Sequence, residues 1–205
     1  MPKAGYHHGN LREALVQTAL KLIEERGPTG FTLSEAARAA GVTPAAVYRH
    51  FGGREDLIAE VALQGYELFA ELLEFAYAGG KPSALAAFEK TGRAYLAFAR
   101  KYPGHYIAMF ESGVALNGSS DLARASNRAL GVLEKAASEL SRHIPAERRP
   151  PPAMFAAHIW AMSHGVVELF ARGSPGTRSP FPPDDLLESG IGVYLRGLGL
   201  IDRDK

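Results

Sequence analysis

The sequence contains no cysteine, so disulfides, thiolate-bound metals and cysteine nucleophiles are excluded. It has no run of about 18 uncharged apolar residues, the length that spans a bilayer. Its start, MPKAGYHHGNLREALV, lacks the apolar segment of a signal peptide. A soluble, cytoplasmic chain without membrane attachment is expected. Alternating strand patterns with hairpin turns are missing. So are a G-x-S-x-G elbow, a phosphate loop and an H-E-x-x-H pair. These absences weigh against an enzyme and leave no motif that requires a cofactor. Net charge is only +1 over 205 residues, but it is uneven: residues 1–54 carry seven Lys/Arg against four Glu, the remainder 16 Lys/Arg against 18 Asp/Glu. A basic N-terminal module on a weakly acidic body suits a polyanionic partner without requiring one.

What is present is helical periodicity, which predicts an all-α fold of about nine helices. Leu11, Leu15, Ala19, Leu22 and Ile23 form one stripe, closed by Gly27-Pro28. Thr32-Leu33-Ser34-Glu35 is a capping-box sequence opening a second helix, and Gly41 suits the left-handed residue that ends it. Thr43 can cap a third, short helix, with Pro44 at its first position and Gly52-Gly53 closing it. Further helices are predicted over 54–76, 83–101, 105–111, 121–143, 153–172 and 184–198.

Helix, short glycine turn and second helix make a helix-turn-helix, whose second helix enters the major groove of DNA. Ala36, Ala37, Ala40, Val42, Val47 and Phe51 are spaced to share a small core with the first helix, which leaves Thr43, Pro44, Ala45, Tyr48 and Arg49 outward. The capping-box helix, Gly41-Val42, the Thr43 cap, Tyr48-Arg49-His50-Phe51 and Arg54-Glu55-Asp56-Leu57 together resemble the TetR family of bacterial repressors. YHHGNLREAL, with Trp160, His164 and Gly165, resembles the branch of that family with a WHG-type C-terminal domain.

The resemblance implies a homodimer of Ω-shaped, all-helical subunits bound to double-stranded operator DNA. Each subunit would have a DNA-binding head over 1–53 and a ligand-binding and dimerisation body over 54–205. The family's pattern puts Thr32, His50 and Arg54 on phosphates, helped by free N–H groups at the start of the fourth helix, with His7, His8 and Arg12 adding backbone contacts from the arm. One departure matters. Many relatives carry Lys-Gly or a similar pair where this chain has Pro44-Ala45, which cannot hydrogen-bond a base. Base reading then falls to Thr43, Tyr48, Arg49 and methyl contacts from Ala45 or Ala46 to thymine.

In the body, Phe69, Tyr95, Phe98, Tyr106, Phe110 and Trp160 suit an apolar effector cavity as well as an ordinary core, with His164 or Glu168 as a polar handle. His164 and Glu168 lie four apart on one face, but no third ligand accompanies them, and no metal site is expected. Gly190, Val193, Tyr194 and Gly197 form a small, apolar stripe where two subunits' helices can meet. The expected function is a sequence-specific transcriptional regulator, a repressor released from its operator by a small, mainly apolar effector. A dimeric DNA-binding protein without an effector is the alternative, and a small-molecule-processing enzyme stands further off.

Overall fold

The computed structural model describes residues 11–171 and 179–201. Among them are nine α-helices and no strand: α1 (Leu11–Arg26), α2 (Leu33–Ala39), α3 (Pro44–Val47), α4 (Arg54–Gly80), α5 (Ala84–Lys101), α6 (Pro103–Phe110), α7 (Ser120–Ser141), α8 (Pro152–Val166) and α9 (Pro183–Gly197). A 3₁₀ turn, Ala146–Arg148, lies between α7 and α8, and α8 continues into a π-helical turn, Val167–Ala171. His7, His8 and the expected end of the eighth helix at Arg172 fall outside the described residues. No helix among the described residues is long and apolar enough to cross a membrane.

By packing, the chain divides into two units. One runs to Glu67 and resumes over Tyr102–Ser126; the other holds Leu68–Lys101 and the chain from Asn127 onward. This partition differs from the one drawn after Gly53, since α6 and the first parts of α4 and α7 pack with α1–α3.

In the first unit, α1 buries Leu15, Val16, Ala19, Leu20, Leu22 and Ile23. The short α2 and α3 add Leu33, Ala36, Ala37 and Val47, and α4 adds Leu57, Ile58, Val61 and Ala62. Two glycines set how closely α6 approaches. A Cβ on Gly65 would lie 2.7 Å from Met109 Sδ and 3.1 Å from His105 Cβ. At the other end of α6 the Gly104 N–H donates to Glu24 Oε1 at 3.1 Å, which satisfies one of the donors a helix start leaves unpaired. Tyr66 is fully buried, and its hydroxyl donates to the Met109 carbonyl at 3.4 Å.

The second unit is built on rings. Phe69 packs edge-on to Tyr95 at 5.3 Å and lies 4.7 Å from Phe98. Phe155 is stacked between Phe88 at 6.2 Å and Tyr194 at 5.9 Å, joining α5, α8 and α9. Ser83 caps α5 by accepting the Ala86 N–H at 3.1 Å, as its position ahead of Ala84 predicts. At the C-terminal end of α7, Arg149 donates to the carbonyls of Ile144 and Arg142, at 2.8 and 3.0 Å. Glu74 accepts two bonds from Arg128, at 2.8 and 2.6 Å, a bidentate pair between α4 and α7.

Two consequences are measurable. Gly104→Ala should lower the melting temperature, because its Cβ would sit 2.9 Å from Glu24 Oε1 and 3.0 Å from the Leu20 carbonyl oxygen. The expected cost is about 1–3 kcal/mol, read by thermal unfolding in circular dichroism. Burial holds the His105 imidazole below its usual range, against the pull of the Glu13 carboxylate. As pH falls the unfolded chain takes up that proton first, so stability should decline from about pH 6.5 downward. His105→Gln should flatten that part of the stability-versus-pH curve in chemical denaturation.

Candidate nucleic-acid interface

The head is assembled from caps. The Glu35 N–H donates to Thr32 Oγ1 at 3.2 Å, and the Thr32 N–H donates to Glu35 Oε2 at 2.8 Å, closing both halves of the capping box. Those bonds from the Thr32 N–H and hydroxyl hold the Glu35 carboxyl below its ordinary range. At the far end of α2, Gly41 has φ +73°, its N–H bonds the Arg38 carbonyl at 3.1 Å, and the Val42 N–H reaches back to the Ala37 carbonyl at 2.9 Å. A side chain at Gly41 would strain this reversal. Thr43 then accepts the Ala46 N–H at 3.3 Å and Pro44 opens α3, as the sequence predicts.

α3 is shorter than expected. It ends at Val47, and Tyr48, Arg49 and His50 occupy a turn in which the His50 and Phe51 N–H groups both bond the Val47 carbonyl, at 2.9 and 3.0 Å. Val47 is 0% exposed and Phe51 3%, whereas Tyr48 is 58% exposed. Thr43, Pro44, Ala45 and Arg49 are exposed and His50 is half-buried. Two apolar side chains thus fix a segment whose outward face is left to solvent.

Not every residue expected on phosphates is placed alike. Thr32 is exposed, but its hydroxyl donates to Glu35 at 2.9 Å. Arg54 donates to the carbonyls of Thr29 and Phe31, at 3.3 and 3.5 Å, and to Glu55 at 2.9 Å. A phosphate would have to compete with these acceptors, so its immediate role is to hold the loop before α2. The start of α4, expected to offer free N–H groups, carries Glu55 and Asp56 in its first turn, and Asp56 accepts the Gly52 N–H at 2.9 Å. Carboxylates already occupy the positive end of this helix and repel an incoming phosphate. Arg12, expected on the DNA backbone, pairs with Glu60 at 2.6 Å and lies 4.9 Å over the Phe51 ring.

The body residues divide. Tyr95, Trp160 and His164 are brought together: the Trp160 indole N–H donates to Tyr95 Oη at 3.3 Å, and that oxygen is 2.9 Å from His164 Nδ1. Phe69 and Phe98 lie buried against Tyr95's side of the core. Tyr106 and Phe110 pack with Tyr66 in the first unit, Phe110 lying 4.9 Å from Tyr106 and 5.9 Å from Tyr66. Glu168 is half-buried in the π-helical turn. Among the described residues no group of three His, Asp or Glu could hold a metal. On α9, a Cβ at Gly190 or Gly197 would meet open space and Val193 is 62% exposed, whereas Tyr194 turns onto Phe155 and bonds His158 Nδ1 at 2.8 Å. The sequence reading missed a groove between α7 and α8 lined by Leu130, Glu134 and Trp160 among others. Aromatic content does not point to it, and the half-buried state of Leu130 and Leu133 on α7 is visible only in the fold.

A helix-turn-helix with a solvent-facing second helix, fused to a helical body, defines a DNA-binding regulator. Residues 15–61 match the family model for bacterial regulatory proteins of the tetR family, and residues 88–194 match that for the tetracyclin repressor-like C-terminal domain. The chain belongs to the TetR family of transcriptional regulators, which are not enzymes. It is 45% identical over 58 residues to the HTH-type transcriptional regulator BetI of Rhizobium meliloti (strain 1021), a match spanning 28% of either chain. A Rhodococcus sp. RHA1 protein of unknown function superposes with a TM-score of 0.77 at 28% identity, over 96% of this chain and 99% of that one. AibR, solved in complex with isovaleryl coenzyme A and operator DNA, shares the fold at a TM-score of 0.67 and 20% identity, over 89% of this chain and 97% of its own.

If Arg54 holds the loop, Arg54→Ala should destabilise the protein by about 1 kcal/mol in urea unfolding, since one exposed and one part-buried carbonyl lose a charged donor. An unchanged unfolding midpoint would leave it with DNA contacts alone.

Proposed function

We propose that the protein is a dimeric repressor that reads a pseudo-palindromic operator through Thr43, Tyr48, Arg49 and the Ala45 methyl group, and leaves the DNA when a small effector enters the body. The observation that carries this reading is the outward face of Thr43, Pro44, Ala45, Tyr48 and Arg49 over a buried Val47. With Pro44 and Ala45 unable to donate to base edges, Arg49 is the residue suited to a bidentate guanine contact. His50 fits a phosphate, and Thr32 does so by giving up its bond to Glu35, contacts that set register and affinity rather than sequence.

Dimerisation through α8 and α9 is supported by their exposed Met154 and Val193 and by the open space over Gly190 and Gly197. AibR's complex with both a ligand and an operator supports control by an effector within this fold. α4 is the natural two-state element, as one unbroken helix contributes residues to both packing units. An effector must favour the released state by about 5.5 kcal/mol to turn a 99:1 preference for DNA into 1:99. The second reading, a DNA-binding dimer without an effector, draws on the tight packing around Tyr95, where the crevice holds only about 30 Å³.

The test is an operator selected from random duplexes with the purified protein, then titrated with variants by fluorescence anisotropy. Arg49→Ala should lose base preference at one position per half-site, at a cost of about 1–3 kcal/mol, while its unfolding midpoint stays that of the wild type. Retention of every base preference by Arg49→Ala would refute its reading role.

A further inference from the structure

We infer that the groove between α7 and α8 selects an apolar ligand carrying a positive charge, an alkyl- or arylammonium, over the matching carboxylate or phosphate ester. This rests on the effector reading above and assigns the chemical class of the ligand. The groove measures about 470 Å³ and adjoins the crevice beside Tyr95, with Leu133, Ala156 and Trp160 serving as walls of both. That volume lies within the range of small-molecule sites, about 300–1,000 Å³. Most of its lining is aliphatic or aromatic, so the bulk of a ligand there must be apolar.

The polar groups of the lining decide the charge. No Lys, Arg or His lines the groove or the crevice among the described residues. The hydroxyl protons of Thr91 and Ser163 are spent on their own helices, at 2.7 Å to the Ala87 carbonyl and 3.0 Å to the Ile159 carbonyl. The indole N–H of Trp160 is spent on Tyr95. The two hydroxyls, which line the crevice, therefore turn lone pairs rather than protons toward a ligand, and in the groove itself Ser138 carries the one side-chain hydroxyl among the described residues. At the rim stands Glu134, a carboxylate in no ion pair among the described residues. A carboxylate or phosphate ligand would find few donors and one like charge. An ammonium would find acceptors, an opposite charge and the face of Trp160, which is 41% exposed and attracts cations through its quadrupole. Isovaleryl coenzyme A, the ligand of the AibR complex, is the kind of polyanion this lining disfavours.

Three probes with one tail separate the possibilities: octylammonium, 1-octanol and octanoate, titrated into the full-length protein by calorimetry and by fluorescence of its single tryptophan. The ammonium should bind roughly tenfold more tightly than octanoate at low salt, with the alcohol between them and the gap narrowing as salt rises. Glu134→Gln should bring the ammonium toward the alcohol and leave the alcohol unchanged. Octanoate binding as tightly as the ammonium, no binding of the ammonium, or an ammonium preference untouched by Glu134→Gln would each overturn the assignment. Operator release is measured in parallel. The expected order of affinities with the operator still bound would sink the effector-controlled reading and leave the site standing, whereas release by octanoate at the lower concentration would do the reverse.

Discussion

A helix of four residues cannot hold itself together. Nucleation costs more than so short a run of hydrogen bonds returns, so α3 exists only because its surroundings impose it. The imposition comes from Val47 and Phe51, both buried, and from the Thr43 cap and Pro44, which fix the first turn. Burying Val47 contributes about 1.5–3 kcal/mol on its own. Everything the protein can do with DNA depends on this anchoring, because Tyr48 and Arg49 stand between those two buried side chains.

A second layer holds the anchors. Arg12 lies over the ring of Phe51 while pairing with Glu60, and so ties α1 to α4 across the residue that closes the recognition segment. Arg54 reaches the carbonyls of Thr29 and Phe31 ahead of the α2 cap. Neither arginine is free for DNA without giving up a bond inside the head. The expectation that both meet phosphates came without these partners, because a basic residue near a helix-turn-helix has the same appearance whether or not it is already paired within the head.

That contrast marks what was legible in the sequence. The capping box of Thr32 and Glu35, the reversal at Gly41, the cap at Thr43 and the cap at Ser83 are short-range devices, in which donor and acceptor lie within a few residues, and each stands where its residues place it. The exposed face of α3 was legible too, since the alternation of Val47 and Phe51 with Tyr48 and Arg49 leaves little choice. Pairings between distant residues were not legible. Arg12 with Glu60 spans 48 positions, and nothing in the spacing of Phe110 announces its packing on Tyr66.

The same limit governs ligand chemistry, but here the local rules help once the fold is known. A threonine or serine inside a helix commonly returns its proton to the carbonyl one turn earlier, as Thr91 and Ser163 do. Counted as polar residues, they seem able to serve any ligand. Counted as hydrogen-bonding groups, they are acceptors, because each hydroxyl has a single proton to give. They wall the adjoining crevice, where the Trp160 N–H is likewise turned to Tyr95, and with the Glu134 carboxylate on the α7–α8 groove the site is selective in the sign of charge it tolerates while remaining permissive in the apolar shape it accepts. Selectivity of this kind arises chiefly from what the wall withholds: an anion brought into the groove would surrender its water and receive few donors in return.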